Sequence, residues 1–170
     1  MAARPPSRLA APNPALPTLV AATQEPGVKA TDLALNQILG IRDAPAGSPH
    51  LLEMPATPAL CNHLGTIHAA AQFALAEAAS AECLQRQFPD LDGRVVAVVR
   101  GVEVKYRKAA QGDLLAVGSV EPATIASLRG ELAERGRAFA VILVDLRDRG
   151  GTLTFHGKFE WFVTLPAAAP

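Results

Sequence analysis

The sequence predicts an α+β domain in which one long, almost wholly apolar helix packs on about five antiparallel strands. Three observations lead there. Between Ala69 and Ala81 only Gln72, Glu77 and Ser80 interrupt an alanine-rich run, and a helix apolar on every side belongs inside a protein. From Val102 onward, apolar and polar residues alternate with the two-residue period of strands. Short glycine-bearing turns join those strands, which implies antiparallel pairing. A helix and a sheet that both need cover bury each other as two layers, and 170 residues suffice for one such domain.

The elements follow in order. Residues 1–28 are rich in alanine and proline, with Pro5, Pro6, Pro12, Pro14, Pro17 and Pro26 too frequent for a helix or central strand; they read as a disordered arm. With only Arg4 and Arg8 and no amphipathic helix, the arm reads as an extension rather than a targeting signal. The folded domain spans 29–166, with 167–170 as a tail. Thr31 caps a short helix to Ile38, LGIRD leads out as a short strand, and Leu51 to Met54 forms another before the Pro55 and Pro58 turns. The long helix runs from His68 to about Gln87 and stops at Pro89. Val102, Val104 and Tyr106 alternate with Glu103, Lys105 and Arg107 as a strand, and Gly112-Asp113 turns the chain into Leu114 to Val120. Ile125, Leu128 and Leu132 mark a surface helix over Thr124 to Arg135, stopped by Gly136. Phe139 to Leu146, apolar on both faces, reads as a central strand. Asp148 to Gly151 makes a tight turn into the last strand, through Phe155, Gly157, Phe159, Trp161 and Val163.

Composition excludes several classes of function. Sixteen basic residues balance sixteen acidic ones, so no net charge draws the chain to nucleic acid or an anionic membrane. No run reaches the roughly 18–20 apolar residues of a membrane span. Cys61 and Cys83 show neither a CxxC pair nor metal-ligand spacing; they read as buried thiols in a reducing compartment, which points to the cytoplasm. No histidine and acid spacing such as HExxH suggests a metal. His50 and His156 stand alone in the sequence and read as exposed.

Chemistry concentrates in NHLGTIHAAAQFALAEAAS, Asn62 to Ser80. An unpaired carboxylate in an apolar helix is costly, so Glu77 should be protonated, hydrogen-bonded or functional. It could serve as general base on water or as nucleophile. Free backbone N–H groups at Ala69 and Ala70, at the positive end of the helix dipole, could stabilise an oxyanion formed from a carbonyl. Asn62 could donate to a carbonyl or orient a water, and His68 could hold the loop or polarise the same oxygen. A Cys61–histidine nucleophile pair is disfavoured, because adjacent residues point apart and no acid orients it.

Eight residues separate Ala69 from Glu77, about 12 Å along the axis and roughly 80° around it. One helix cannot bring both groups to one carbonyl carbon. An antiparallel second copy in a two-fold dimer would bring the start of one helix to the middle of the other.

The spacing of Asn62, Gly65-Thr66, His68-Ala69 and Glu77, followed by strands ending in a glycine-centred hairpin, resembles the hotdog-fold acyl-CoA thioesterases of the phenylacetate-pathway type. The form of this run is closest to an uncharacterised-domain subgroup of that superfamily (DUF4442-like). The resemblance covers about Leu33 to Leu165. It implies a hotdog fold, with the long helix wrapped by the sheet and the site at the interface of a homodimer, alone or paired as a homotetramer. It implies hydrolysis of an acyl-CoA or related acyl thioester, with no cofactor or metal. Glu77 would be nucleophile or base, the Ala69 N–H the oxyanion hole, Asn62 the positioner of water or thioester, and His68 the support of the loop. Gly65 and Thr66 would lie against substrate. The tract VKYRKAAQGD resembles the strand and turn lining the pantetheine tunnel, so Arg107 or Lys108 would meet a CoA phosphate. The relatives usually carry Gly-Gly where this chain has Ala69-Ala70, and many carry Asp at the Glu77 position. The narrowed approach keeps a second reading open, a non-catalytic acyl-CoA-binding or structural hotdog module. A hydratase or dehydratase ranks last, since neither pattern is present.

Overall fold

The computed structural model describes residues 27–166; residues 1–26 of the arm expected over 1–28, and the tail expected over 167–170, lie outside the described residues. A six-stranded, fully antiparallel sheet is ordered β1-β2-β4-β5-β6-β3. Its strands are β1 Arg42–Asp43, β2 Leu52–Met54, β3 Val96–Tyr106, β4 Leu114–Val120, β5 Arg137–Asp148 and β6 Leu153–Thr164. Three helices accompany them, α1 Ala34–Ile38, α2 Ala69–Gln87 and α3 Pro122–Arg135. The short strand expected from LGIRD forms as the two-residue edge strand β1, paired with β2, and counting it makes the sheet six strands rather than about five.

The core sits between the sheet and α2. Every second residue of β5, from Ala138 to Leu146, is buried, as are Phe155, Phe159, Trp161 and Val163 of β6, and they meet Leu75, Ala76, Ala79 and Leu84 of α2. The alternation read from the sequence is the alternation of cover. Gly157 breaks the apolar series of β6 for a steric reason: a Cβ there would lie 2.7 Å from the rings of both Phe155 and Phe159. The β5–β6 turn forms as expected, with Gly151 at φ 82° and the Asp148 side chain accepting from the Thr152 N–H at 2.8 Å.

Four local expectations need correction. Thr31 does not cap a helix: residues Ala30–Asp32 form a 3-10 turn, and α1 begins after Leu33. Ile125 of α3 is exposed, so Thr124, Leu128 and Leu132 carry that helix's contact. His50 is neither isolated nor exposed; its ring lies 2.8 Å from the buried Glu53 carboxylate, which also takes Arg42. His156 sits 2.7 Å from Asp145, its neighbour across the β5–β6 ladder. Both pairs bridge residues that sequence patterning did not place together. The packed chain also extends back to Gly27, whose N–H donates to Asp92 at 2.8 Å.

Candidate functional site

Helix α2 is not covered on all sides. Ala71, Leu75, Ala76, Ala78 and Ala79 are buried, but Ala70 and Phe73 are exposed and Ala74, Glu77 and Ala81 are half-buried. These five recur at helical spacing as one stripe. The apolar helix therefore keeps one face that the described residues do not bury, and Glu77 stands on it.

The loop and the helix start form one cluster. The Asn62 side-chain oxygen accepts from the N–H groups of Leu64 at 2.9 Å and Thr66 at 3.2 Å, and its amide donates to Thr66 Oγ1 at 3.0 Å. Asn62 thus closes an Asx-type turn, helped by Gly65 at φ 73°, and keeps one amide hydrogen for a further acceptor. His68 is the N-cap of α2: its Nδ1 accepts from the Ala70 N–H at 3.0 Å. That corrects the expectation of two free donors, since Ala70 is engaged and Ala69 keeps its N–H without a partner among the described residues. Nδ1 must be unprotonated to accept, which leaves the imidazole proton on Nε2. The Tyr106 hydroxyl donates to the Ala69 carbonyl at 3.2 Å, and the Ile67 N–H donates to the Ala110 carbonyl at 3.0 Å. The end of β3 and the segment after it are thereby fastened to the helix start. Arg107 and Lys108, next along the chain, line an open cleft of about 590 Å³ with Gly150 to Leu153.

Glu77 lies elsewhere. It lines a groove of about 720 Å³ with Ala78, Ala81 and Leu84 of α2, Val96 to Val99 of β3, Trp161 of β6 and residues from Val28 to Leu33. No side chain among the described residues bonds its carboxylate, and burial raises its pKa above the ordinary glutamate value. Its backbone is held: Ser80 Oγ donates to the Glu77 carbonyl at 2.7 Å and accepts from Trp161 Nε1 at 3.1 Å. Trp161 and the Val28–Leu33 segment are the parts of this site that the pattern alone could not place. Cys83 faces the sheet, its thiol pushed up to about 11 by burial, while Cys61 is only half-buried. Among the described residues no three potential metal ligands cluster, and no helix is long and apolar enough to cross a membrane.

A family model described as "Domain of unknown function (DUF4442)" matches residues 48–163, more than half of the chain. The chain belongs to this family. The match takes in the Asn62 loop, all of α2 and the sheet from β2 almost to the end of β6. No curated protein matches this DUF4442 chain. Among solved structures, a Pseudomonas aeruginosa protein described as a probable thioesterase is similar, at 24% identity and TM-score 0.68, over 81% of this chain and 91% of that one. A Bacillus halodurans protein solved with CoA is similar at 22% identity and TM-score 0.58, over 76% and 74%. A Staphylococcus aureus thioesterase enzyme, solved with a glutamine replaced by alanine, is similar at 14% identity and TM-score 0.58, over 76% and 98%. The same protein was also solved with a glutamate replaced by alanine. These likenesses establish the fold of the DUF4442 chain as the hotdog fold, with α2 as the wrapped helix.

Proposed function

We propose that this protein hydrolyses an acyl-CoA or related acyl thioester in sites shared by two copies of the chain. The observation that carries the reading is the Glu77 carboxylate, half-buried in an apolar groove and, like the Ala69 N–H two turns away, without a partner among the described residues. A raised pKa suits a carboxylate that must take up a proton during a reaction.

Strand β3 supports the dimer. It is the sheet edge among the described residues, and Val98, Val102, Val104 and Tyr106 along it are exposed, a combination that invites pairing with another strand. Antiparallel pairing of two β3 strands about a two-fold near Gly101 sets Tyr106 of the partner subunit opposite Val96. Tyr106 is tied to Ala69, and Val96 lines the Glu77 groove. Such pairing delivers a free helix-start N–H to the mouth of the groove and covers the open stripe of α2.

In the water route, Glu77 takes a proton from water as the water oxygen bonds to the thioester carbon. The developing oxyanion meets the Ala69 N–H of the partner subunit. Collapse breaks the C–S bond, and Glu77 returns its proton to the thiolate, giving acid and thiol. In the alternative route Glu77 itself attacks, thiolate leaves, and water cleaves the resulting anhydride. Asn62 shapes the loop and offers one amide hydrogen, His68 caps the helix, Gly65 and Thr66 border the approach, and Arg107 or Lys108 takes a CoA phosphate as a charge-assisted contact. In the Staphylococcus aureus protein, the two replaced positions, one acid and one amide, have the same separation along the chain as Asn62 and Glu77. That coincidence supports assigning these two residues to one reaction.

The test is thiol release from acetyl-, hexanoyl-, decanoyl- and benzoyl-CoA. Wild type releases thiol from at least one, and Glu77→Ala lowers kcat about 10²–10⁴-fold. Binding of the esters without any release would favour the non-catalytic module, and release indifferent to Glu77→Ala would sink the mechanism.

A further inference from the structure

The Glu77 groove does not end at the carboxylate. It runs along α2 past Ala78 and Ala81 to Leu84 and Gln85, where it meets a smaller apolar recess of about 40 Å³ formed with Phe88, Leu91, Leu128 and Val163. Between Glu77 and Leu84 the helix wall presents only the methyl groups of Ala78 and Ala81, so the space beside that stretch stays open. Opposite stands the segment from Val28 to Leu33, which precedes every strand and is not part of the sheet.

That segment is fastened in place at several points. Gln85 Nε2 donates to the Val28 carbonyl at 3.1 Å, and the buried Asn36 side chain donates to the Ala30 carbonyl at 2.8 Å. Lys29 pairs with Asp43 at 3.4 Å, and Ala30 is buried against the body of the protein. Leu33, half exposed, extends the wall outward.

Resting on the hydrolase reading above, we infer that this trough binds the acyl chain of the substrate, and that Val28–Leu33 is the wall that selects an extended apolar chain over a short one. The walls offer aliphatic surface and the Trp161 ring. Among the described residues the groove beside α2 is lined by one acid, Glu77, and one cation, Lys29, which Asp43 holds; Asp92 borders only the far recess, where its carboxylate accepts from the Gly27 N–H. A neutral ester with an apolar tail fits this charge pattern, whereas a tail ending in a carboxylate does not. Each methylene moved from water into such a trough is worth about fourfold in affinity, so length dependence is the signature.

Trp161 is the sole tryptophan, and it reports occupancy without turnover. The experiment titrates Glu77→Gln with acetyl-CoA and decanoyl-CoA, following Trp161 fluorescence, beside thiol release by wild type. Decanoyl-CoA should saturate the signal at a concentration at least about tenfold below acetyl-CoA. Ala81→Phe, which fills the trough, should cut that ratio at least about fivefold. Leu33→Ala, at an exposed position safe for folding, should cut it about two- to threefold. Equal saturation by the two esters, or a ratio indifferent to both substitutions, overturns the inference. Length-dependent fluorescence without thiol release from any ester overturns the hydrolase reading and leaves the trough assigned. Thiol release without length dependence does the reverse.

Discussion

The indole N–H of Trp161 donates to Ser80 Oγ at 3.1 Å, joining the last strand to the helix turn that carries Glu77. Ser80 passes the contact on by donating to the Glu77 carbonyl at 2.7 Å. Both side chains are buried, so the pair fixes the helix without exchange with water.

Ser80→Ala should therefore act on both stability and catalysis. It leaves a buried indole N–H without an acceptor, at a cost of about 1–3 kcal/mol. By releasing the Glu77 turn it should lower kcat more than it raises KM. Chemical denaturation and steady-state kinetics check the two halves separately. A variant with wild-type kcat would show that the relay only stabilises.

Burial, the cause of Glu77's raised pKa, sets two opposite pH effects. A base must be ionised, so the acid limb of kcat should lie above the range of an ordinary glutamate and vanish as a distinct limb in Glu77→Gln. For stability, the charged form is disfavoured in the folded state. Its cost is absent below the unfolded pKa and grows as pH rises through the folded one. Glu77→Gln should thus raise Tm at neutral pH, with the gain fading toward acid. Calorimetry across that range checks the sign.

Glu53 behaves in the reverse sense. Its hydrogen bond to His50, then the Arg42 contact, holds its carboxyl below the usual glutamate range against the opposing effect of burial. A depressed pKa contributes stability that is present above the unfolded value and lost as pH falls through the folded one. Arg149 approaches the same carboxylate at 3.7 Å and Asp113 at 3.0 Å, so the group ties β1 and β2 to the β5–β6 hairpin. Glu53→Ala should cost about 1.5–3 kcal/mol at neutral pH and flatten the acid loss of stability. Denaturation midpoints at neutral and acid pH read both effects.

Much of the fold was legible because its signals are local. The two-residue periods of β5 and β6, the alanine run of α2 and the glycine at the β5–β6 turn all describe their own neighbourhoods. The first half of β3, Val96 to Arg100, follows Asp92-Gly93 without alternation, so the strand extends further back than the period from Val102 indicates. Asn62, Gly65, Thr66, His68 and Ala69 cluster in the structure, as their closeness in sequence suggests, but the sequence could not foretell that His68 would occupy the Ala70 N–H. The distance between the helix start and Glu77 was readable from helix geometry alone. What surrounds Glu77 was not, because Val28, Val96 and Trp161 meet there only through tertiary packing, and the same holds for the Glu53–His50 and Asp145–His156 pairs.

The proposed site is built from two chains, with Glu77 from one and the loop and helix start from the other. Subunit complementation tests it most directly. Glu77→Ala and Asn62→Ala chains are each assayed alone, then unfolded together in equal amounts, refolded and assayed for thiol release. Random pairing makes half the dimers mixed, each with one intact site and one carrying both changes, so activity should return to about a quarter of wild type. Mixed dimers seen by native mass spectrometry with no activity above the separate variants would contradict the account.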